Sequence, residues 1–468
     1  MNISPPLKKM YDTLSSYNLR FLEHVKKNPE FLSRSQFSQL FEWVDPSLDV
    51  TMQPWPLFIS RQARNMFEEV VVKIFKLIKS IPRRLFSNDP LRLSRYYNLP
   101  VDFTNMCLYG IDDEFIENMV ARGDFIFTPS GLKCLEYNVS VSLGGWEQPI
   151  WEAQSLQVPI ISEFIKDCKV KITRNRLISH LFEHMARIVR KYMPHENEIN
   201  IAIAIRHRER LKTMLSMEEP LNQLYKESLH LLDKDGGLKG KVILCNFDQL
   251  SVKEEYAFHK DKRIHMILDF YSGEIPFEFM VLFKMRRVLI YDGPLSTILS
   301  SKLNLGLLSE HEDSDLFTIE ERETIKKYIP WSRKVKTSVT TYGGEKVNLE
   351  DFIIANKDKL VLKPSLGYGG NDVHIGYYTP EEQWKELISK AFEEKEKEWL
   401  VQERIETIPL LFQWGEEGFA ECDTSLGLQV FGSQYAGIFV RALPPKYSKG
   451  VINVHQGAQV PIAFEVDE

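Results

Sequence analysis

The stretch RGDFIFTPSGLKCLEYN, residues 122–138, decides how the chain is read. It has the pattern of two short strands around Pro129, Ser130 and Gly131. A three-residue loop with Gly131 in the positive-φ position pairs Thr128 with Leu132. In that register Asp124 faces Glu136 and Arg122 faces Asn138. Like charges directly opposed on paired strands are destabilising, so the spacing asks for a divalent cation between them. Two carboxylates and an amide oxygen are hard ligands of the kind Mg²⁺ takes, with water or phosphate oxygens completing its octahedron. The plainer alternative is a strand end in water with each carboxylate solvated. The SVSLGG that follows (140–145) supplies small residues that suit a site mouth or any loop.

A second signal lies at LVLKPSLGYGGNDVHIG, residues 360–376. It reads as strand, glycine-rich turn, strand. Ser365, Gly367, Gly369 and Gly370 let backbone N–H groups approach a polyphosphate, and Lys363 at the strand end places an ammonium beside it. The segment matches neither the Walker nor the Rossmann pattern, and a hairpin turn with a surface lysine would look the same. Downstream, WLVQERIE (399–406) has the form of a buried strand ending in a polar hinge. Arg441 and Asn453 follow on separate strand-like segments, the first suited to an anion and the second to donating an oxygen near a metal. RHRER (206–210) is either a solvated basic loop or an anion contact.

A chain of 468 residues exceeds what one core usually serves, so two or three domains are expected. The net charge of −6 gives no general pull toward nucleic acid or anionic membrane. The five cysteines are dispersed with no CxxC pair, which argues against a disulfide framework and a structural zinc site. The opening residues lack a signal-type apolar core and no run is long enough to span a membrane, so a cytoplasmic setting is expected. Residues 1–95 read as a helical region; Met66, Val70, Val71, Ile74, Leu77 and Ile78 form one stripe, and the prolines of MQPWPLFIS (52–60) break the chain before it. Residues 96–165 carry the hairpin. In 166–310, INIAIAI (199–205), KVILCNF (241–247), RIHMILDF (263–270) and RRVLIYDGP (286–294) alternate with helical runs, the pattern of a small domain with a largely parallel sheet. Residues 311–468 hold the glycine-rich loop, and their charged run 381–398 reads as a solvated helix face.

Together these pieces resemble the circularly permuted ATP-grasp superfamily, the group that includes the synthetase domain of glutathionylspermidine synthase and related uncharacterised ligases. The hairpin resembles that group's Arg-x-Asp strand followed by LEYN. YDGPLSTILSSKLNLGLL (291–308) resembles its P-x-S-x-x-x-x-x-K segment, and YIPWSRKVKT (328–337) the stretch before its flap. The Glu-x-Asn strand precedes the flap here, whereas the common order places it after; a permutation produces that order. The resemblance implies an α/β fold with α+β elements, made of a permuted ATP-grasp core, a small parallel-sheet domain and a helical N-terminal region. It implies an ATP-dependent carboxylate–amine ligase that forms an amide through an acyl phosphate. Asp124, Glu136 and Asn138 would then hold Mg²⁺. Lys363, Ser365, Gly367, Gly369, Gly370, Gln402, Glu403 and Ile405 would meet ATP, with Lys334 or Lys336 as a second lysine. Arg122 and Arg441 would be the catalytic residues, steadying the acyl phosphate. Partners would be small-molecule or peptide carboxylates and amines, with neither nucleic acid nor membrane. The competing expectations are a nucleotide-binding or scaffold protein with a decayed site, and acyl activation toward a thiol or hydroxyl.

Overall fold

The hairpin belongs to an eight-stranded sheet. Along its main path lie Thr51–Ser60, Gln459–Val466, Gln434–Leu443, Phe419–Phe431, Val120–Thr128 and Gly131–Asn138, with Leu410–Gln413 and Ile172–Thr173 attached beside it. The computed structural model describes residues 3–27, 50–173, 175–234, 236–270, 274–291, 293–336, 338–367, 369–394, 396–414 and 418–468. Part of the expected helical region (28–49), Asp292, Thr337 and Tyr368 of the glycine-rich loop lie outside them. The architecture is mixed, with helices and several sheets.

Strand alternation gives the large sheet two unlike faces. On one face, Phe125, Tyr137, Leu426, Leu428 and Val440 are buried beneath the helix Arg61–Phe86. Tyr137 stacks on Phe75 with ring centres 5.4 Å apart and donates its hydroxyl to the Val71 carbonyl at 2.8 Å. The helix turns the expected stripe inward, burying Val70, Val71, Ile74, Leu77 and Ile78 with Met66 at its margin. The other face of the sheet carries Arg122, Asp124, Ser425, Gln429 and Arg441, all buried polar side chains.

MQPWPLFIS does not break the chain: it lies within the strand Thr51–Ser60, which pairs in parallel with Gln459–Val466. Proline cannot donate to a ladder and is confined to edges and irregularities. This strand is at the sheet's edge, and its register shifts between Gln53 and Leu57, the interval that holds both prolines.

The four apolar runs of the middle region form one parallel sheet, ordered Leu289–Tyr291, Met266–Phe270, Ile201–Ile205, Val242–Cys245. A further antiparallel sheet, here termed the lid sheet, orders Ser332–Lys334, Trp399–Glu403, Leu360–Pro364 and His374–Ile375. One face of it, with Leu360, Leu362, Trp399 and Val401, packs on the helices Leu349–Ala355 and Glu381–Glu393 to make a second core. The latter helix buries Trp384, Ile388 and Ala391 and leaves its charges outside. Register places Lys334, Lys363 and Gln402 on the opposite face.

Candidate functional site

The hairpin reaches the expected pairing by another route. Its loop has two residues, since Thr128 pairs with Gly131, and the register then shifts between Phe125 and Asp124. Leu135 is the extra residue of that bulge. Beyond it Asp124 faces Glu136 and Arg122 faces Asn138. Without the bulge Glu136 would oppose Gly123, and its side chain would turn toward the apolar face. The bulge also frees the Leu135 carbonyl, which accepts the Lys363 ammonium at 2.9 Å.

Asp124 is nearly closed off from solvent, at 3% exposed, and is held by two guanidinium groups. Arg122 donates Nε to Oδ1 at 2.9 Å and a terminal nitrogen to Oδ2 at 3.2 Å. Arg441 reaches Oδ2 at 2.9 Å and the Ser425 hydroxyl at 3.0 Å. Gly427 makes this possible: a Cβ there would stand 2.8 Å from Arg122 Cδ. Arg122 also donates to the Gly144 carbonyl at 3.3 Å, so the small-residue loop folds over the arginine face.

Glu136 accepts from Asn138 Nδ2 at 3.1 Å and lies 3.5 Å from the Lys302 ammonium. Burial raises its pKa, but Lys302 and then Lys363 overcome that and hold it well below the usual carboxylate range. Lys363 is pushed down to about 8, first by burial and further by Lys302, with Glu136 opposing. Besides Leu135, its ammonium donates to Gln402 Oε1 at 2.7 Å, and Gln402 in turn donates to the Ser332 hydroxyl. Arg122, Arg441, Lys302 and Lys363 thus surround two carboxylates, leaving an excess of positive charge suited to an oxyanion.

Lys302 was not among the residues expected at the site, although it is the lysine of the P-x-S-x-x-x-x-x-K segment. It lies between the helices Leu295–Leu299 and Leu303–Glu310. Its ammonium donates to the Gly367 carbonyl at 2.9 Å and its backbone N–H to the Ser365 carbonyl at 2.8 Å. The glycine-rich loop is thereby clamped at its start. Ser365 is buried, and Gly367, Gly369 and Gly370 take φ of 147°, 74° and 75°, which side-chain-bearing residues rarely adopt. Gly370 lies against Val451, where a Cβ would approach within 2.7 Å. Asn453 accepts the His455 N–H, capping its own turn.

The remaining residues are less convergent. Lys334 is on the Lys363 side of the lid sheet, but its ammonium is taken by Glu398 at 2.9 Å and the Tyr96 carbonyl at 2.7 Å. Lys336 is exposed. Glu403 alternates to the face away from Lys363, near Tyr342, whose pKa burial and then Glu403 raise. Ile405 is half-buried in the segment that follows. In RHRER, Arg206 is paired through two bonds to the buried Asp269. Among the described residues, no three or more His, Cys, Asp or Glu side chains are grouped to hold a metal. None of the described helices is long and apolar enough to cross a membrane.

No family model matches the chain, and no curated protein does. Among solved structures it is similar to a glutathione synthetase-like effector, GSS30, from Globodera pallida, in its apo form. The two share 11% identity at a TM-score of 0.54, over 92% of this chain and 96% of that one. The likeness is one of fold, and it takes in nearly the full length of both.

Proposed function

We propose that the protein is a circularly permuted ATP-grasp ligase that joins a carboxylate to an amine, releasing ADP and phosphate. The observation that carries this reading is the convergence of four cations from three parts of the chain on one hairpin end. Arg122 and Arg441 come from the large sheet, Lys363 from the lid sheet and Lys302 from the helix junction. The full-length likeness to a glutathione synthetase-like protein supports the fold that the reading needs.

In the proposed reaction a substrate carboxylate attacks the γ-phosphate of ATP, ADP leaves, and an acyl phosphate forms. The amine then attacks the acyl carbon, phosphate departs with the former C–O bond, and the nitrogen loses a proton. Lys363 and Lys302 hold phosphate oxygens; Arg122 and Arg441 steady the oxyanion that develops at the acyl carbon. Backbone N–H groups of Gly367, Gly369 and Gly370 cover the phosphates and exclude water from an intermediate that hydrolyses readily.

For magnesium, Glu136 and Asn138 fit as hard oxygen donors, and Glu136 stays ionised. Asp124 fits only through an oxygen shared with an arginine. This small donor set agrees with a cation that binds through one or two carboxylates plus substrate phosphates rather than in a closed protein cage. Mg²⁺ supplies neutralisation of the transferred phosphoryl charge when bound. The double capture of Asp124 by arginines favours a second reading, a nucleotide-binding protein without turnover.

Release of ADP from full-length protein, assayed with paired carboxylate and amine libraries, separates the two. Formation of ADP only when both partners are present supports the ligase. Saturable ATP binding with no ADP under any pair supports the second reading, and no ATP binding at all rejects both.

A further inference from the structure

Gln402 is expected to meet ATP, yet both ends of its side-chain amide are engaged within the fold. It lies on the strand Trp399–Glu403 of the lid sheet, opposite Ser332, and two residues along from Leu400, which pairs with Lys363. Gln402, Ser332 and Lys363 therefore share one face. All three are buried, at 2%, 0% and 6% exposed.

The bonds between them run in one direction. The Ser332 hydroxyl donates to the Pro330 carbonyl at 2.9 Å, so toward Gln402 it can only accept. Gln402 Nε2 donates to it at 3.0 Å, which turns Oε1 toward Lys363. The ammonium, a donor only, reaches that oxygen at 2.7 Å. Both neighbours thus demand the same orientation of the amide. Ser332 is itself held in place. Its N–H donates to the Ser309 hydroxyl at 3.1 Å, and Arg333 bonds that hydroxyl at 3.0 Å and the Ser332 carbonyl at 2.8 Å. Ser309 belongs to the helix Leu303–Glu310, which starts at the residue after Lys302.

An ammonium has three N–H donors. Among the described residues, Lys363 gives one to Gln402 Oε1 and one to the Leu135 carbonyl. These acceptors stand on different sheets, so a tetrahedral nitrogen bonded to both has one N–H left, in a fixed direction. We infer that Gln402 and Ser332 are positioning residues: Ser332 sets the Gln402 amide, and the amide aims the remaining N–H of Lys363 at a phosphate oxygen. This rests on the ligase reading's assignment of Lys363 to phosphate. The Gln402 side chain then does not read the nucleobase; the relay recognises the polyphosphate, whatever base is attached. Ordering a long lysine side chain on binding costs entropy, and a preset ammonium has already lost it on folding.

The test is calorimetric titration of the full chain with Mg·ATP and, separately, with Mg·tripolyphosphate, which has the phosphates and no base. Gln402→Met keeps length and apolar bulk but offers the ammonium no acceptor. It should weaken both ligands by about tenfold, the effect of one hydrogen bond in a buried site. Ser332→Ala should weaken both by about threefold, at the low end for one hydrogen bond. In a Lys363→Met background neither substitution should weaken the residual binding further, whereas a merely structural role would do so. Thermal denaturation establishes that each variant folds, and Ser332→Ala carries the comparison if Gln402→Met does not. Weakened ATP binding with tripolyphosphate binding unchanged would show that Gln402 reads the base, and overturn the inference. Wild-type affinity for both ligands in the folded variants would overturn it and leave the phosphate site standing. Binding of neither ligand by wild type would overturn it together with the nucleotide reading.

Discussion

At the scale of single residues, Lys363 joins stability to function through one proton. Its folded pKa, about 8, lies below its ordinary 10.5. Below pH 8 the ammonium is charged in both folded and unfolded chains. Between pH 8 and 10.5 the folded chain releases the proton while the unfolded chain keeps it, so this group makes stability rise with pH. Compared with Lys363→Met, wild type should gain up to about 1.4 kcal/mol per pH unit across that window. Urea unfolding of both proteins at several pH values checks the slope. Nucleotide binding should move the other way, since only the charged form attracts phosphate. Above pH 8 ATP affinity should fall by up to tenfold per unit, with proton uptake on binding visible by calorimetry in buffers of different ionisation enthalpy. Gly427 offers a second test. Its Cβ would meet Arg122 Cδ at 2.8 Å, so Gly427→Ala should displace Arg122 from Asp124. A loss of about 1–3 kcal/mol is expected in chemical denaturation, together with weakened substrate turnover.

At the scale of elements, long-range pairing decides what local pattern leaves open. The helix Pro5–Leu14 docks through Tyr11, whose buried hydroxyl donates to the Leu411 carbonyl at 2.7 Å and accepts the Leu411 N–H at 3.0 Å. Tyr11→Phe leaves both backbone groups without that partner and should cost about 1–3 kcal/mol by urea melt. An unchanged midpoint would mean that water replaces the hydroxyl. The same distance in sequence explains what could be read beforehand. The parallel-sheet strands were legible because they are buried on both faces and therefore apolar throughout. The glycine-rich turn was legible because its backbone conformation requires glycine. The facing of Asp124 and Glu136 was expected from a three-residue loop that the chain does not have; a two-residue loop plus the bulge at Leu135 gives the same pairing, and that bulge was not legible. Its carbonyl is satisfied by Lys363, 228 residues away, and nothing local announces that partner. Thr51–Ser60 was misread for the same reason: its prolines argue against a central strand, and the partner that makes it an edge strand is Gln459–Val466. Lys302 stood inside a recognised segment, but its meeting with Glu136 and Gly367 depends on three separate parts of the chain.

At the scale of the whole molecule, the protein has one extensive core beneath the large and parallel sheets and a much smaller one inside the lid. Less buried apolar surface gives a unit less resistance to local opening, so the smaller core is expected to open before the larger one. The lid's inner face is tied down by Leu400, which is buried in the larger core against Gly306, and by polar contacts. Lys302 holds Gly367 and Ser365, and Lys363 reaches from the lid sheet to the hairpin bulge. These are the same ammonium groups assigned to phosphate, so a bound nucleotide would exchange protein contacts for stronger ones to an anion without unclamping the loop. Lys302→Met separates these roles. It removes the donor to Gly367 and the cation beside Glu136 but keeps the buried stem and the backbone bond to Ser365. Hydrogen exchange should then quicken in 365–376 while the strands Ile201–Ile205 and Met266–Phe270 keep their protection, because their packing does not involve the lid. Added Mg·ATP should slow exchange in 365–376 of the wild type and have a much smaller effect on the variant. Equal protection of that segment in both proteins, with and without nucleotide, would show that the lysine clamp neither closes the loop nor reads the phosphates.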